Sequence, residues 1–211
     1  MNPHTQTQNK FIEGLLRYLT PEQLAAIQSK KIGMGGAGGL GSNCAMILVR
    51  TGFRDLEIID QDIIDPSNLN RQQFYHDEVG QDKVAVLKQR LLDINPEVRI
   101  TAHKCQWNEQ SADRYFRNAD YIVEAFDVAD WKCRFVEYYQ PWGKPVISGV
   151  GMAGLTEKQP MTVKRIGNIW VVGDRATCSH KGHPPMAPRV TQCAAMMAEI
   201  ILDLALGNTP F

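Results

Sequence analysis

The chain has 211 residues, 44% hydrophobic and 22% charged, a balance that supports one folded domain with a small appendage and excludes gross disorder. Lysine plus arginine and aspartate plus glutamate number 23 each, so the formal net charge is zero and a strongly basic nucleic-acid binder is disfavoured. No apolar run approaches the ~20 residues that span a bilayer, and the polar first ten residues lack the apolar segment of a secretory signal.

Residues 9–19 place Phe11, Ile12, Leu15, Leu16 and Leu19 at helical spacing. Thr20-Pro21-Glu22-Gln23 reads as a capping box with proline at the first helical position, opening a second helix to residue 29. Residues 31–35 read as a short, glycine-interrupted buried strand, 40–51 as a helix and 56–60 as a strand ending in a carboxylate. A long stretch, 61–80, carries few regular signals. Then come a helix at 83–94 stopped by Asn95-Pro96, a strand at 98–103, a helix at 109–117, a strand at 120–125, a helix at 128–139 and a strand at 144–149. This alternation predicts an α/β, Rossmann-like, doubly wound and mostly parallel sheet with helices on both faces. The pattern then changes: 161–165 and 168–172 flank Ile166-Gly167 as an antiparallel hairpin, 173–188 is a Pro/Gly-rich loop, and 190–206 is a last helix. Residues 1–30 are expected to form a helical segment and 31–211 a single nucleotide-binding domain, because about 60 C-terminal residues rarely fold alone.

Gly36-Ala37-Gly38-Gly39-Leu40-Gly41 fits G-x-G-x-x-G between a strand and a helix. The glycines permit a tight turn and close backbone approach, and the helix N-terminus favours an anion. Asp60 stands nineteen residues beyond Gly41, where a ribose-binding carboxylate belongs. Ser42 replaces the lysine of a Walker-type loop. A nicotinamide enzyme needs hydride-transfer residues, and no Tyr-x-x-x-Lys occurs. The stretch Pro66-Ser67-Asn68-Leu69-Asn70-Arg71-Gln72 and then Lys83 suits a triphosphate: arginine chelates phosphate oxygens in a fork, and lysine adds a movable charge. Solvated surface charge is the bland alternative for each. Asp127, after the strand at 120–125, is placed either to hold Mg²⁺ bridging phosphates or to cap the next helix. Asp62 and Asp65 read as loop polar residues.

The ordered set GGAGGLGSN, Asp60-Gln61-Asp62, Ser67 to Gln72, Gly80-Gln81-Asp82-Lys83, Ile94-Asn95-Pro96 and Ala125-Phe126-Asp127 resembles the ThiF/MoeB/HesA family, related to the activating domains of ubiquitin-activating enzymes. Met186-Ala187-Pro188-Arg189-Val190 and the final helix point to its short ThiF-like branch. The resemblance spans about residues 15–206. It implies ATP-dependent adenylation of the C-terminal glycine carboxylate of a small ubiquitin-fold sulfur carrier ending in Gly-Gly, with release of pyrophosphate, for thiamine or related cofactor synthesis. Carried over by position, Gly36, Gly38, Gly39 and Gly41 line the nucleotide and Asp60 holds the ribose. Ser67, Asn68, Leu69, Asn70, Arg71 and Lys83 engage the nucleotide and its phosphates, and Asp127 serves Mg²⁺. A homodimer and a sulfur donor protein are further implications.

The five cysteines are an odd number without a C-x-x-C pair, which predicts reduced thiols in the cytoplasm and no structural zinc. Cys178, in Thr177-Cys178-Ser179-His180-Lys181, sits where the family often has a cysteine. His180 and Lys181 would favour its thiolate, and the sequence leaves a covalent role and an ordinary loop thiol both open. Cys178, His180 and His183 lack a fourth metal ligand. Cys193 belongs to the apolar final helix and reads as core. Two departures stand out: the family's N-terminal arginine motif survives only as Arg17-Tyr18-Leu19-Thr20, and its Asp-Asn pair is Asp127-Val128. The competing functions are adenylation of a carboxylate on a modified tRNA base, which zero net charge disfavours, a nicotinamide oxidoreductase, and a non-catalytic nucleotide-binding scaffold.

Overall fold

The computed structural model describes residues 9–154, 159–177 and 183–211. Two short helices, α1 (Lys10–Leu15) and α2 (Pro21–Gln28), lead into the alternating part: β1 (Lys31–Gly35), α3 (Gly39–Arg50), β2 (Asp55–Ile59), α4 (Lys83–Ile94), β3 (Arg99–His103), α5 (Glu109–Tyr115), β4 (Tyr121–Glu124), α6 (Ala129–Tyr139) and β5 (Val146–Gly149). The hairpin β6 (Thr162–Ile166) and β7 (Ile169–Gly173) and the helix α7 (Ala187–Leu206) complete the chain. The seven strands form one sheet in the order β3-β2-β1-β4-β5-β7-β6. Every pairing is parallel except β6 with β7.

Strand periodicity explains the two-sided winding. Successive side chains of a strand point to opposite faces. Leu56 and Ile58 of β2, Val123 of β4 and Ile147 of β5 join one core with α2, α3, α4 and α7. Their neighbours Ile59, Ile122 and Val146 join a second core with α5 and α6. The glycines that interrupt β1 belong to this second face. A Cβ on Gly33 would lie 2.8 Å from the Phe116 ring, and one on Gly35 would lie 2.7 Å from Phe135. Glycine is therefore the partner that two aromatic rings require, and the strand is continuous despite its weak local propensity.

Two boundaries differ by more than two residues from those read in the sequence. The first helix stops at Leu15, because it buries no residue of its own and its last turn tightens through bonds from Arg17 N to Gly14 O and Tyr18 N to Leu15 O. The last helix begins at Ala187, three residues before Val190, because Pro188 sits in the first turn, where no N–H is needed. The capping box at Thr20 and Gln23 is formed, and Leu24 and Ile27 of α2 are buried. Cys193 is buried in the core. No helix among the described residues is long and apolar enough to cross a membrane.

Phe135 meets the rings of Trp107, Phe116, Phe126 and Tyr139 and is fully buried. Phe135→Ala is expected to lower the unfolding free energy by about 3–5 kcal/mol, measured as a shifted urea midpoint at unchanged slope.

Candidate functional site

The strand order reverses between β1 and β4, and a crevice opens at the carboxyl ends of the strands there, as in other doubly wound sheets. It holds a cavity of about 630 Å³. Its floor is the turn from β1 into α3. Gly36 has φ +99°, and a Cβ there would lie 2.6 Å from the carbonyl oxygen of Ala125. Gly38 caps α3 without a side-chain hydrogen bond, which leaves the first-turn N–H groups open to a ligand.

Gly36, Gly38, Gly39, Asp60, Arg71, Lys83 and Asp127 all line this cavity. Asp60 is nearly buried. Its Oδ2 accepts from Ala37 N at 2.6 Å and its Oδ1 from Asp62 N at 2.8 Å. Burial pushes its carboxyl above the usual aspartate range, against the pull of those two N–H groups and of the Lys83 charge. Lys83 is buried, and its Nζ lies 2.8 Å from Asp62 Oδ2. Asp62, expected to be only loop polarity, thus lines the cavity and anchors a cation, while Asp65 caps the short turn at 66–68.

Ser67, Asn68, Leu69, Asn70 and Gly41 are not among the residues that line the cavity; Ser67 and Asn70 are exposed, and Asn68 and Gly41 are buried. Asn68 Oδ1 accepts from Asp65 N at 3.0 Å, and Leu69 packs against the core. Arg71 Nη1 donates to Ser67 O at 3.0 Å and to Asn70 Oδ1 at 2.8 Å. Asn70 Nδ2 donates onward to Pro185 O at 3.1 Å. The segment is therefore a platform that aims Arg71. Gly41 is needed for packing, since a Cβ would lie 1.9 Å from Gly36 O.

Asp127 does not cap α6; Val128 takes that position, without a side-chain cap. Asp127 is exposed to the cavity. Asp60 is engaged by backbone amides and Asp62 by Lys83, so Asp127 is the carboxylate best disposed toward a cation. One carboxylate plus phosphate oxygens and water is a donor set that suits Mg²⁺. Among the described residues, no three His, Cys, Asp or Glu side chains cluster to hold a metal by themselves. Cys178, His180 and Lys181 lie outside the described residues. Arg17 is exposed and does not line the cavity.

Three features went unread in the sequence. Lys132 lines the cavity, and its Nζ lies 2.9 Å from the buried Glu124 carboxylate and 2.8 Å from Phe126 O. Ser148 Oγ donates to Glu124 at 2.6 Å, and Phe126 N donates to it at 2.7 Å. This network holds the turn that carries Asp127. Gln72 lies against the glycine loop with its Oε1 buried and unpartnered. Arg175 lines the opposite end of the cavity. The contacts that matter join separate elements, so only the final position of Gln72 within a basic-polar run carried any signal.

The model of the ThiF family matches residues 14–210. The chain belongs to the ThiF family. This ThiF-family chain is 33% identical over 138 residues to the tRNA threonylcarbamoyladenosine dehydratase of Bacillus subtilis, covering 64% of this chain and 54% of that protein. It is 30% identical over 136 residues to the sulfur carrier protein adenylyltransferase of Thermus thermophilus, covering 64% and 50%. The matches thus span about half the length of these relatives. The structure of E. coli tRNA N6-threonylcarbamoyladenosine dehydratase in complex with ATP superposes with a TM-score of 0.82 at 21% identity, covering 94% of each chain. E. coli MccB with ATP gives 0.73 at 22% identity, covering 99% of this chain and 67% of that one. At these identities the two structures establish a shared fold.

The rim of the cavity depends on a buried ion pair, Arg189 with Asp174. Burial raises the Asp174 carboxyl, but the N–H groups of Thr177 and Ala176, the Thr177 hydroxyl and Arg189 outweigh it and leave it below the ordinary 3.8. The resulting stabilisation is present above pH 3.8 and is lost as pH falls through the lowered value. Arg189→Gln is expected to cost about 3–5 kcal/mol near neutral pH, because it strands a buried charge. In urea unfolding at a series of pH values, the gap from the unsubstituted protein should shrink below pH 3.8.

Proposed function

We propose that this ThiF-family protein is an ATP-dependent adenylyltransferase that activates a carboxylate. The observation that carries this reading is the convergence of Arg71, Lys83 and Asp127 on the open N-terminus of α3 in one crevice. A carboxylate attacking an α-phosphate meets anion–anion repulsion, and two cations beside a cluster of backbone N–H groups offset it. The attacking oxygen forms a bond to the α-phosphorus, the bond to the bridging oxygen breaks, and pyrophosphate leaves with that electron pair. The nucleophile is already ionised, so no general base is required. Asp60 would accept from the ribose hydroxyls through the lone pairs its backbone partners leave over. Mg²⁺, held by Asp127, would supply charge neutralisation across the phosphates.

The acceptor we infer is a carboxylate on a modified tRNA base. Two of the relatives, from Bacillus subtilis and Haemophilus influenzae, are named tRNA threonylcarbamoyladenosine dehydratase. The E. coli dehydratase also overlaps this fold over nearly its whole length. This reverses the order of acceptors expected from the sequence, in which a ThiS-like sulfur carrier came first. Zero net charge weighed against tRNA there, but net charge is a sum and says little about one face of a molecule. The sulfur-carrier reading keeps specific support from the Thermus thermophilus relative.

The test is pyrophosphate–ATP exchange with tRNA bearing threonylcarbamoyladenosine, run beside a ubiquitin-fold carrier ending in Gly-Gly. Exchange that requires the tRNA is the expected result; exchange with the carrier alone would return the acceptor to a peptide tail. Arg71→Ala and Asp127→Ala should each lose about 100-fold or more of exchange while remaining folded. Full exchange in both variants would remove these residues from the chemistry.

A further inference from the structure

The nucleotide's anchors gather over one flank of the crevice. The glycine loop follows β1, Asp60 follows β2 and Asp127 follows β4. The cavity continues past them over β5 and β7, where none of these groups stands. Asp60 and Arg175 lie at the ends of strands four spacings apart, about 19 Å at ~4.8 Å per strand. Among the described residues Arg175 is the cation that lines this second flank, and it occupies its place at a conformational cost. Its φ is +56°, in the left-handed region that glycine enters freely and a branched-off side chain does not.

The surroundings enforce that conformation. Arg175 N donates to Val150 O at 3.2 Å, and Asp174 N donates to Gly151 O at 2.8 Å. The Asp174 carboxylate accepts from Ala176 N and Thr177 N, both at 2.9 Å, from the Thr177 hydroxyl, and from Arg189. The two backbone segments touch so closely that a Cβ on Gly151 would lie 2.2 Å from Asp174 Oδ1, and one on Gly173 would lie 1.8 Å from Val150 O. A buried ion pair and a locked turn thus hold one exposed arginine over the cavity.

We propose that Arg175 is the acceptor-binding cation: it pairs with the carboxylate of the modified tRNA base and presents it to the α-phosphate from the β7 flank. The planar fork of arginine matches a carboxylate with two parallel hydrogen bonds. This assignment rests on the adenylyltransferase reading and adds the residue that selects an anionic acceptor.

Arg175→Gln, Arg175→Lys and Arg175→Gly test it. With threonylcarbamoyladenosine-bearing tRNA, Arg175→Gln should raise the acceptor KM at least tenfold, and Arg175→Lys should recover part of that loss. ATP affinity by calorimetry should stay within twofold in all three variants. Arg175→Gly should share the acceptor defect yet melt above Arg175→Gln, because glycine relieves the left-handed backbone. A tenfold loss of ATP affinity would place Arg175 on the nucleotide and overturn the proposal. So would an unchanged acceptor KM beside an active unsubstituted enzyme, or a glycine variant that melts below the glutamine one. An unsubstituted protein that binds ATP but turns over neither tRNA nor carrier would defeat the adenylyltransferase reading, and this assignment with it. Turnover of the carrier but not the tRNA would overturn this assignment alone.

Discussion

Backbone pressed against backbone at the end of β1 is the constraint on which the crevice depends. Gly36 reaches the carbonyl of Ala125, and Gly41 reaches the carbonyl of Gly36, at distances no Cβ could share. That contact sets the start of α3 beside the turn leaving β4. It thereby brings an open cluster of N–H groups and the Asp127 carboxylate together in the lining of one cavity. A side chain at either glycine would part the two turns, and the cations arriving from elsewhere would have no anion site to serve.

Three ion pairs stand in or beside the cavity wall. Lys83 leans on Asp62, Lys132 on Glu124 and Arg189 on Asp174. Each pair joins residues from different elements or turns, and in each at least one partner is buried: Lys83, Glu124, and both Arg189 and Asp174, while Asp62 stays exposed. Taking such groups out of water is expensive, so each pair stabilises the fold only weakly while making one geometry strongly preferred over its alternatives. Arg71 is treated differently: neutral oxygens of Ser67 and Asn70 hold its guanidinium, so it keeps its full charge for a ligand.

The sequence already contained the sheet's winding and much of the phosphate end of the cavity. Alternating helix and strand patterns announce a parallel sheet, and the glycine run, Asp60, Arg71, Lys83 and Asp127 stand out because local chemistry made each conspicuous. The stretch from Ser67 to Asn70 shows the limit of that reading. Its polar side chains look like ligand contacts; in the fold Asn68 bonds within the turn, and Asn70 bonds to Arg71 and to Pro185 O. Asp62 shows the opposite case, an ordinary loop residue that becomes an anchor once Lys83 arrives from the next helix.

Local order along the chain determined the element types, the glycine turn and the family, since propensity, periodicity and short motifs act over a few residues. Only tertiary structure decided that Glu124 and Lys132 pair beneath Asp127, that aromatic rings require Gly33 and Gly35, and that Arg175 stands over the far end of the cavity. Those relations draw on strands β1, β4, β5 and β7 and on the helices packed over them. Sheet order places these strands side by side although long helices and loops separate them in the chain, and no short-range pattern encodes that neighbourhood.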